Sequence, residues 1–147
     1  MYKNCTLCPR KCNIDREKVS GYCGVAKMKV AKVMTHFWEE PIICDENGSG
    51  AIFFSGCNLK CNYCQNYEIS HEGKGKEITI EQLAEEFLNL QIKGANNINL
   101  VTGFSFVPQI IEALKIAKKR GLNIPIVYNT SGYESIETLK LLEGYVD

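Results

Sequence analysis

Charge imbalance is the first thing this sequence lacks. Lys plus Arg and Asp plus Glu both total 17, for a formal net charge of zero. Without a cationic excess, or a basic stripe along any segment, the electrostatic footprint of nucleic-acid binding is missing. Long hydrophobic runs are missing too. The longest, such as "IPIVY" and "AIFF", fall far short of the ~20 apolar residues that span a bilayer, so no membrane partner is expected. The "MYKNC" start has no apolar signal-peptide core, which makes a cytoplasmic location the default. Fixed-period repeats and low-complexity tracts are also absent.

What is present is apolar residues and cysteine. Apolar residues make up 45% of the 147, enough for one domain with a real core, or one domain with a small appendage. Eight cysteines are many for a reducing compartment, where dense cysteine points to metal binding or catalysis more than to disulfides. Cys5, Cys8, Cys12 and Cys23 form one cluster, Cys57, Cys61 and Cys64 a second, and Cys44 stands alone.

The chain divides into a Cys-rich N-terminal metal-binding segment with a hairpin, 1–50, and a βα domain, 51–147. Residues 1–24 have no sustained period and read as a loop-rich knuckle that needs an external tie. "VAKMKVAKVMTHFW" alternates apolar and Lys positions until its phase slips near Ala31, which predicts a strand or hairpin. "CDENGSG" is a turn. "AIFF" then reads as a strand buried on both faces. Thr79 opens a helix with Gln82 as capping-box partner, Ile80, Leu83, Phe87 and Leu90 as its apolar stripe and Gly94 as its stop. "NINLV" is the next strand, followed by a helix entered at Pro108 that buries Ile111, Leu114 and Ala117 and ends in "KKRG". "IPIVY" is the third strand, and Ile136, Leu139 and Leu142 line a third helix that stops at Gly144.

Strand and helix in alternation predict parallel βαβ units with right-handed crossovers. The final "YVD" reads as the start of a fourth strand. A parallel sheet ending there would keep an open edge, so the expectation is a fragment, a truncated product or half of a closed assembly.

The second cluster carries the chemistry. "SGCNLKCNYCQN" spaces its thiols Cys-x3-Cys-x2-Cys. Thiolates favour zinc, Cu(I) and iron–sulfur clusters, and a closed zinc site or a cubane takes four ligands. Three cysteines leave one iron of a cubane open to an exogenous ligand. The motif directly follows a strand, at the end of a parallel sheet where α/β folds bind ligands. The plainer alternatives are zinc on two of these thiols plus a remote one, or three buried thiols.

Cys57, Cys61 and Cys64, with Tyr63 before the last, resemble the signature of radical S-adenosylmethionine enzymes. The wider string "GSGAIFFSGCNLKCNYCQNYEIS", with "HFWEEP" upstream and "NINLVTG" and "IPIVYNTSGYE" downstream, is similar to the branch related to pyruvate formate-lyase activating enzymes. The resemblance implies a [4Fe–4S] cluster on Cys57, Cys61 and Cys64, with S-adenosylmethionine chelating the fourth iron through its amine and carboxylate. It implies reductive cleavage of that cofactor to methionine and a 5′-deoxyadenosyl radical, which abstracts hydrogen from a substrate. It further implies adenine contact at the Tyr63 backbone, approach of Thr102 and Gly103 to the methionyl amine, and a ribose or carboxylate contact from Asn129. Where many relatives carry a Gly-Gly-Glu-Pro-like turn, this chain reads "TGFSFVP" and keeps one glycine for close approach. The family fold is an open barrel of about six βα units, so a partial (βα) barrel of about three units, class α/β, is expected here. The implied partners are S-adenosylmethionine, an electron donor such as flavodoxin or ferredoxin, and a protein substrate of the glycyl-radical kind.

Cys5, Cys8, Cys12 and Cys23, spaced x2, x3 and x10, read as a closed second site. Zinc is the first choice, an auxiliary iron–sulfur cluster the second, and unligated or redox thiols the third. Cys44, His36, His71, Glu39, Glu40, Phe104, Phe106 and Tyr128 are read as structural, with Glu39 and Glu40 in a solvated turn before Pro41 and "HEGKGKE" as a surface loop. A cysteine-rich zinc or iron–sulfur module without radical chemistry, and a fragment that assembles with another chain, are the competing functions.

Overall fold

The computed structural model describes residues 3–147. The first two residues of the "MYKNC" start, which belong to the signal-peptide reading, lie outside the described residues. One mixed sheet of five strands has the order β3-β1-β2-β4-β5. These strands are β1 (Lys29–His36), β2 (Ser49–Phe54), β3 (Lys76–Glu77), β4 (Ile98–Val101) and β5 (Ile126–Asn129). The helices are α1 (Tyr67–Ser70), α2 (Ile80–Ile92), α3 (Val107–Lys119) and α4 (Ile136–Leu141).

β2, β4 and β5 run parallel, as βαβ crossovers require, while β1 pairs antiparallel with both β2 and β3. The "VAKMKVAKVMTHFW" stretch is thus the first arm of a long hairpin. Its phase slip at Ala31 is a bulge, where the register to β2 shifts between Val30 and Lys32. The third strand starts at Ile126 because Pro125 has no N–H to give a ladder, although its carbonyl still accepts from Ile98 at 2.8 Å.

One face of the sheet carries the core. Ile52 and Phe54 of β2 and Ile98 and Leu100 of β4 meet Leu83, Phe87 and Leu90 of α2 and Ile110, Leu114 and Ala117 of α3. The Thr79–Gln82 capping box is formed, with both reciprocal hydrogen bonds present. Pro108 opens α3, and Lys118 and Lys119 occupy its last turn.

Two expectations are corrected. In α4, Ile136 is 68% exposed and Leu139 is also exposed, while Leu142 is buried at 2%. Ser135 caps the helix by accepting from the Thr138 N–H at 3.2 Å, and that phase turns Ser135, Thr138 and Leu142 inward. The final "YVD" is no strand. Tyr145 and Val146 donate back to Leu142 O as a helix-ending turn, and Asp147 brackets Ile126 with its N–H and carboxylate.

Candidate functional site

The parallel strands β2, β4 and β5 end at one edge of the sheet, and the loops that leave them build the site. From β2 the chain enters the cysteine loop through Gly56, whose φ of +85° is left-handed. A Cβ there would lie 2.5 Å from Cys23 O and 2.8 Å from both Val25 methyls, so only glycine fits between the strand end and the N-terminal segment. Cys57 N–H then donates to Cys23 O at 3.2 Å, and Cys64 N–H to Cys61 O at 3.2 Å.

Cys57, Cys61 and Cys64 line one cavity of about 170 Å³, together with Phe54, Ile69, Ser70 and Thr102. Cys57 is buried and Cys61 exposed. Two of the sulfurs already receive hydrogen bonds. Leu59 N–H points at Cys57 Sγ at 3.4 Å, and Ser70 Oγ donates to Cys64 Sγ at 3.2 Å. Ser70 Oγ also meets His71 Nδ1 at 2.8 Å, and the His71 ring stacks on Tyr67 at 4.2 Å.

A larger cavity of about 700 Å³ adjoins the first and shares Phe53, Asn66, Val101, Thr102 and Ser131 with it. Asn129 and Thr130 line it from the end of β5, and His36, Glu39 and Glu40 from the end of β1. Glu39 is not a solvated turn residue, since its side chain is 17% exposed and stands 4.0 Å from His36 Nδ1.

Thr102 lines both cavities in left-handed backbone, φ 60° and ψ 39°. For a β-branched residue that conformation is strained, and such strain clusters at functional sites. Its N–H donates to Asn129 O at 3.0 Å, which ties the two strand ends together. Gly103 is buried in the 3₁₀ turn that follows, where a Cβ would lie 2.8 Å from Ile110 Cδ1 of α3. Tyr63 is 101% exposed and its side chain lines neither cavity. Behind β5, burial and the Glu134 carboxylate raise the Tyr128 pKa, and the Tyr128 hydroxyl donates to Glu134 at 3.3 Å.

Cys5, Cys8, Cys12 and Cys23 also come together around one small cavity, against Asn58 and Ser105. Among the described residues, no three His, Cys, Asp or Glu side chains converge closely enough to hold a metal ion. The donor set around the larger cysteine cavity nonetheless suits a cubane: three soft thiols with sulfur-directed hydrogen bonds of the kind that tune iron–sulfur clusters.

The Radical SAM superfamily profile matches residues 51–147. The chain belongs to the radical SAM superfamily. The described residues form a five-strand mixed sheet with four helices, a partial radical-SAM-type βα fold. An uncharacterized protein of Methanocaldococcus jannaschii is 33% identical across 100% of this chain and 44% of its own length. The pyruvate formate-lyase-activating enzyme of Clostridium pasteurianum is 31% identical over 56% of this chain and 36% of its own. A second M. jannaschii protein, provisionally named a glycyl-radical enzyme activating enzyme, is 31% identical over 64% of this chain and 38% of its own. The chain therefore spans less than half the length of the curated relatives it matches. No solved structure matches it. Among the described residues, no helix is long and apolar enough to cross a membrane.

Sequence reasoning passed over Ser70, Asn66, Thr130 and Ser131. Asn66 and Ser131 are carried by the quoted strings "CQN" and "NTSG", so position next to a motif was the available signal. Ser70 closes the quoted string "CQNYEIS" and carries the same signal, but its contact with Cys64 depends on α1 folding back under the loop.

Proposed function

We propose that this chain is the cluster-bearing part of a radical S-adenosylmethionine enzyme of the activating-enzyme kind. Cys57, Cys61 and Cys64 hold a [4Fe–4S] cluster, and the larger cavity takes S-adenosylmethionine. The observation that carries this reading is the shared wall. Three thiols line one cavity, and a second, polar cavity meets it at Thr102, Asn66 and Ser131. A ligand seated in the polar cavity can therefore reach the open iron position beside the thiols.

When bound, the cluster and S-adenosylmethionine supply reductive cleavage and a 5′-deoxyadenosyl radical for hydrogen abstraction. The residues of this chain bind, orient and exclude water. Phe53 and Val101 form the apolar part of the shared wall. Asn129 offers an amide to the ribose or carboxylate. The backbone at Thr102 and Gly103 meets the methionyl amine, and the Tyr63 backbone meets adenine. The exposed Cys61 edge of the loop is the side from which a donor such as flavodoxin or ferredoxin delivers the electron. The names of two relatives support a protein substrate of the glycyl-radical kind.

The test is anaerobic reconstitution of the chain with iron and sulfide, followed by dithionite and S-adenosylmethionine. Release of 5′-deoxyadenosine that disappears in Cys61→Ala is expected. A colourless protein that takes up no iron would overturn the reading.

A further inference from the structure

No helix or strand forms between residues 3 and 28, yet the segment is tightly folded. Cys5 N–H donates to Ile14 O and Asn13 N–H to Cys5 O, both at 3.0 Å, closing the stretch between them into a loop. Lys11 and Asn13 take left-handed backbone, φ 41° and 52°, inside that loop. The fold brings Cys5, Cys8, Cys12 and Cys23 onto a single cavity of about 20 Å³. Gly21 completes it, since a Cβ there would press on Cys12 Sγ and Ile14 Cδ1 at 3.3 Å.

The lining holds no histidine and no carboxylate. It holds four thiols with Arg10, Lys11 and Arg16 around them. That donor set selects a thiophilic metal over a hard cation, and Lys11 and Arg16 offset the negative charge of four thiolates, whereas the Arg10 guanidinium is committed to Asn58 O and the Tyr22 ring. A buried hydroxyl on the same cavity, Ser105 Oγ, has no hydrogen-bond partner, and its proton can go to a metal-bound thiolate, whereas an apolar plug would leave it unpaired.

The segment also grips the loop that follows β2. Cys23 O accepts from Cys57 N–H. Arg10 Nε donates to Asn58 O at 2.6 Å while its guanidinium lies 3.5 Å over the Tyr22 ring. Asn58 Nδ2 in turn donates to Tyr133 O at 2.6 Å.

We propose that Cys5, Cys8, Cys12 and Cys23 form a closed tetrathiolate metal centre, and that this centre seats the Cys57–Cys64 loop. A metal bound to Cys23 fixes the carbonyl that holds Cys57. The occupant is a lone tetrahedral ion such as zinc or a second iron–sulfur cluster, which share this ligand chemistry. The first half of the proposal stands alone; the second rests on the cluster reading above.

The test uses the full chain purified without oxygen. Replacing Cys57, Cys61 and Cys64 together with Ala removes the loop thiols and isolates the N-terminal four. About one metal centre per chain is expected to remain, with Cys5, Cys8, Cys12 and Cys23 slow to alkylate and Cys44 as the reactive reference. Metal without acid-labile sulfide identifies a lone ion, and iron with sulfide a second cluster; either supports the centre. Absence of metal, with all four thiols alkylated as fast as Cys44, overturns it. In a chain with the loop thiols intact, Arg10→Ala leaves the four N-terminal thiols in place but removes the bond to Asn58 O. It should retain the N-terminal metal while loop-cluster loading falls severalfold, and Cys8→Ser with Cys12→Ser should lose both. Wild-type loop loading in Arg10→Ala overturns the seating role. A wild-type chain that never loads the loop fails the cluster reading but leaves the triple-variant result standing.

Discussion

The Cys57 N–H donates to the Cys23 carbonyl at 3.2 Å, so the backbone of the loop's first cysteine is docked on that of the last cysteine of the N-terminal segment. Two cysteine clusters that are separate in sequence thus share a backbone contact. Any change that pushes residues 56 and 57 away from residue 23 reaches both.

Gly56→Ala makes that change with one methyl. The new Cβ would meet Cys23 O at 2.5 Å and the Val25 methyls at 2.8 Å, in left-handed backbone that itself costs an L-residue about 1–2 kcal/mol. The expected loss of stability is at least ~2 kcal/mol by urea denaturation. Iron uptake by the loop should fall with it. A variant as stable as the parent would show that the strand end and the N-terminal segment are not pressed together.

Ser70→Ala tests the hydrogen bond to Cys64. A cluster-bound thiolate only accepts, so the single hydroxyl proton of Ser70 goes to Cys64 Sγ and His71 Nδ1 must donate to Ser70 Oγ. Hydrogen bonds to sulfur favour the more negative, reduced cluster. Losing one should lower the midpoint potential by several tens of millivolts, on the order of 1 kcal/mol, with iron content unchanged. The reading is an EPR-monitored redox titration, and an unshifted potential would remove Ser70 from the site.

Much of this was legible in the sequence, for physical reasons that differ by element. The helix start at Thr79 was readable because a capping box is local, and both its hydrogen bonds span three residues. The slip at Ala31 was readable because a bulge breaks a period of two. The face of α4 was not, since Ile136 and Leu139 share a plausible stripe and only the docking of Ser135, Thr138 and Leu142 decides the phase. The inward turn of Glu39 beside His36 was equally hidden. It depends on the chain after β1, which leaves the opposite edge of the sheet, turning so that Glu39 shares a cavity with the ends of β4 and β5, a relation between segments far apart in the chain.

Thr102→Gly separates stability from binding. Relief of the left-handed φ of 60° should stabilise the chain by about 1 kcal/mol, less the entropy that glycine returns to the unfolded state. Removing a side chain that lines both cavities should weaken S-adenosylmethionine binding, and Asn129→Ala should do so about tenfold for one lost hydrogen bond. Anaerobic calorimetry with the reconstituted chain reads the affinity, and thermal denaturation reads the strain. A Thr102→Gly chain that is both less stable and fully competent to bind would reverse the assignment.

Tyr128 makes stability depend on alkaline pH. Burial and then the nearby Glu134 carboxylate raise its pKa above the usual phenol value, so the folded chain keeps a proton that the unfolded chain releases near pH 10. Below that pH both states hold the proton and the contribution is fully present. Above it the unfolded state is favoured, by up to about 1.4 kcal/mol for each further pH unit. Stability measured by urea denaturation should therefore fall from about pH 10 upward. Tyr128→Phe keeps the ring but removes the titration, and Glu134 retains its bond from Thr130. The variant should show a shallower alkaline slope beside an unchanged neutral plateau, apart from the lost Tyr128–Glu134 bond. Equal slopes in the two proteins would mean that Tyr128 ionises in the folded chain as freely as in water.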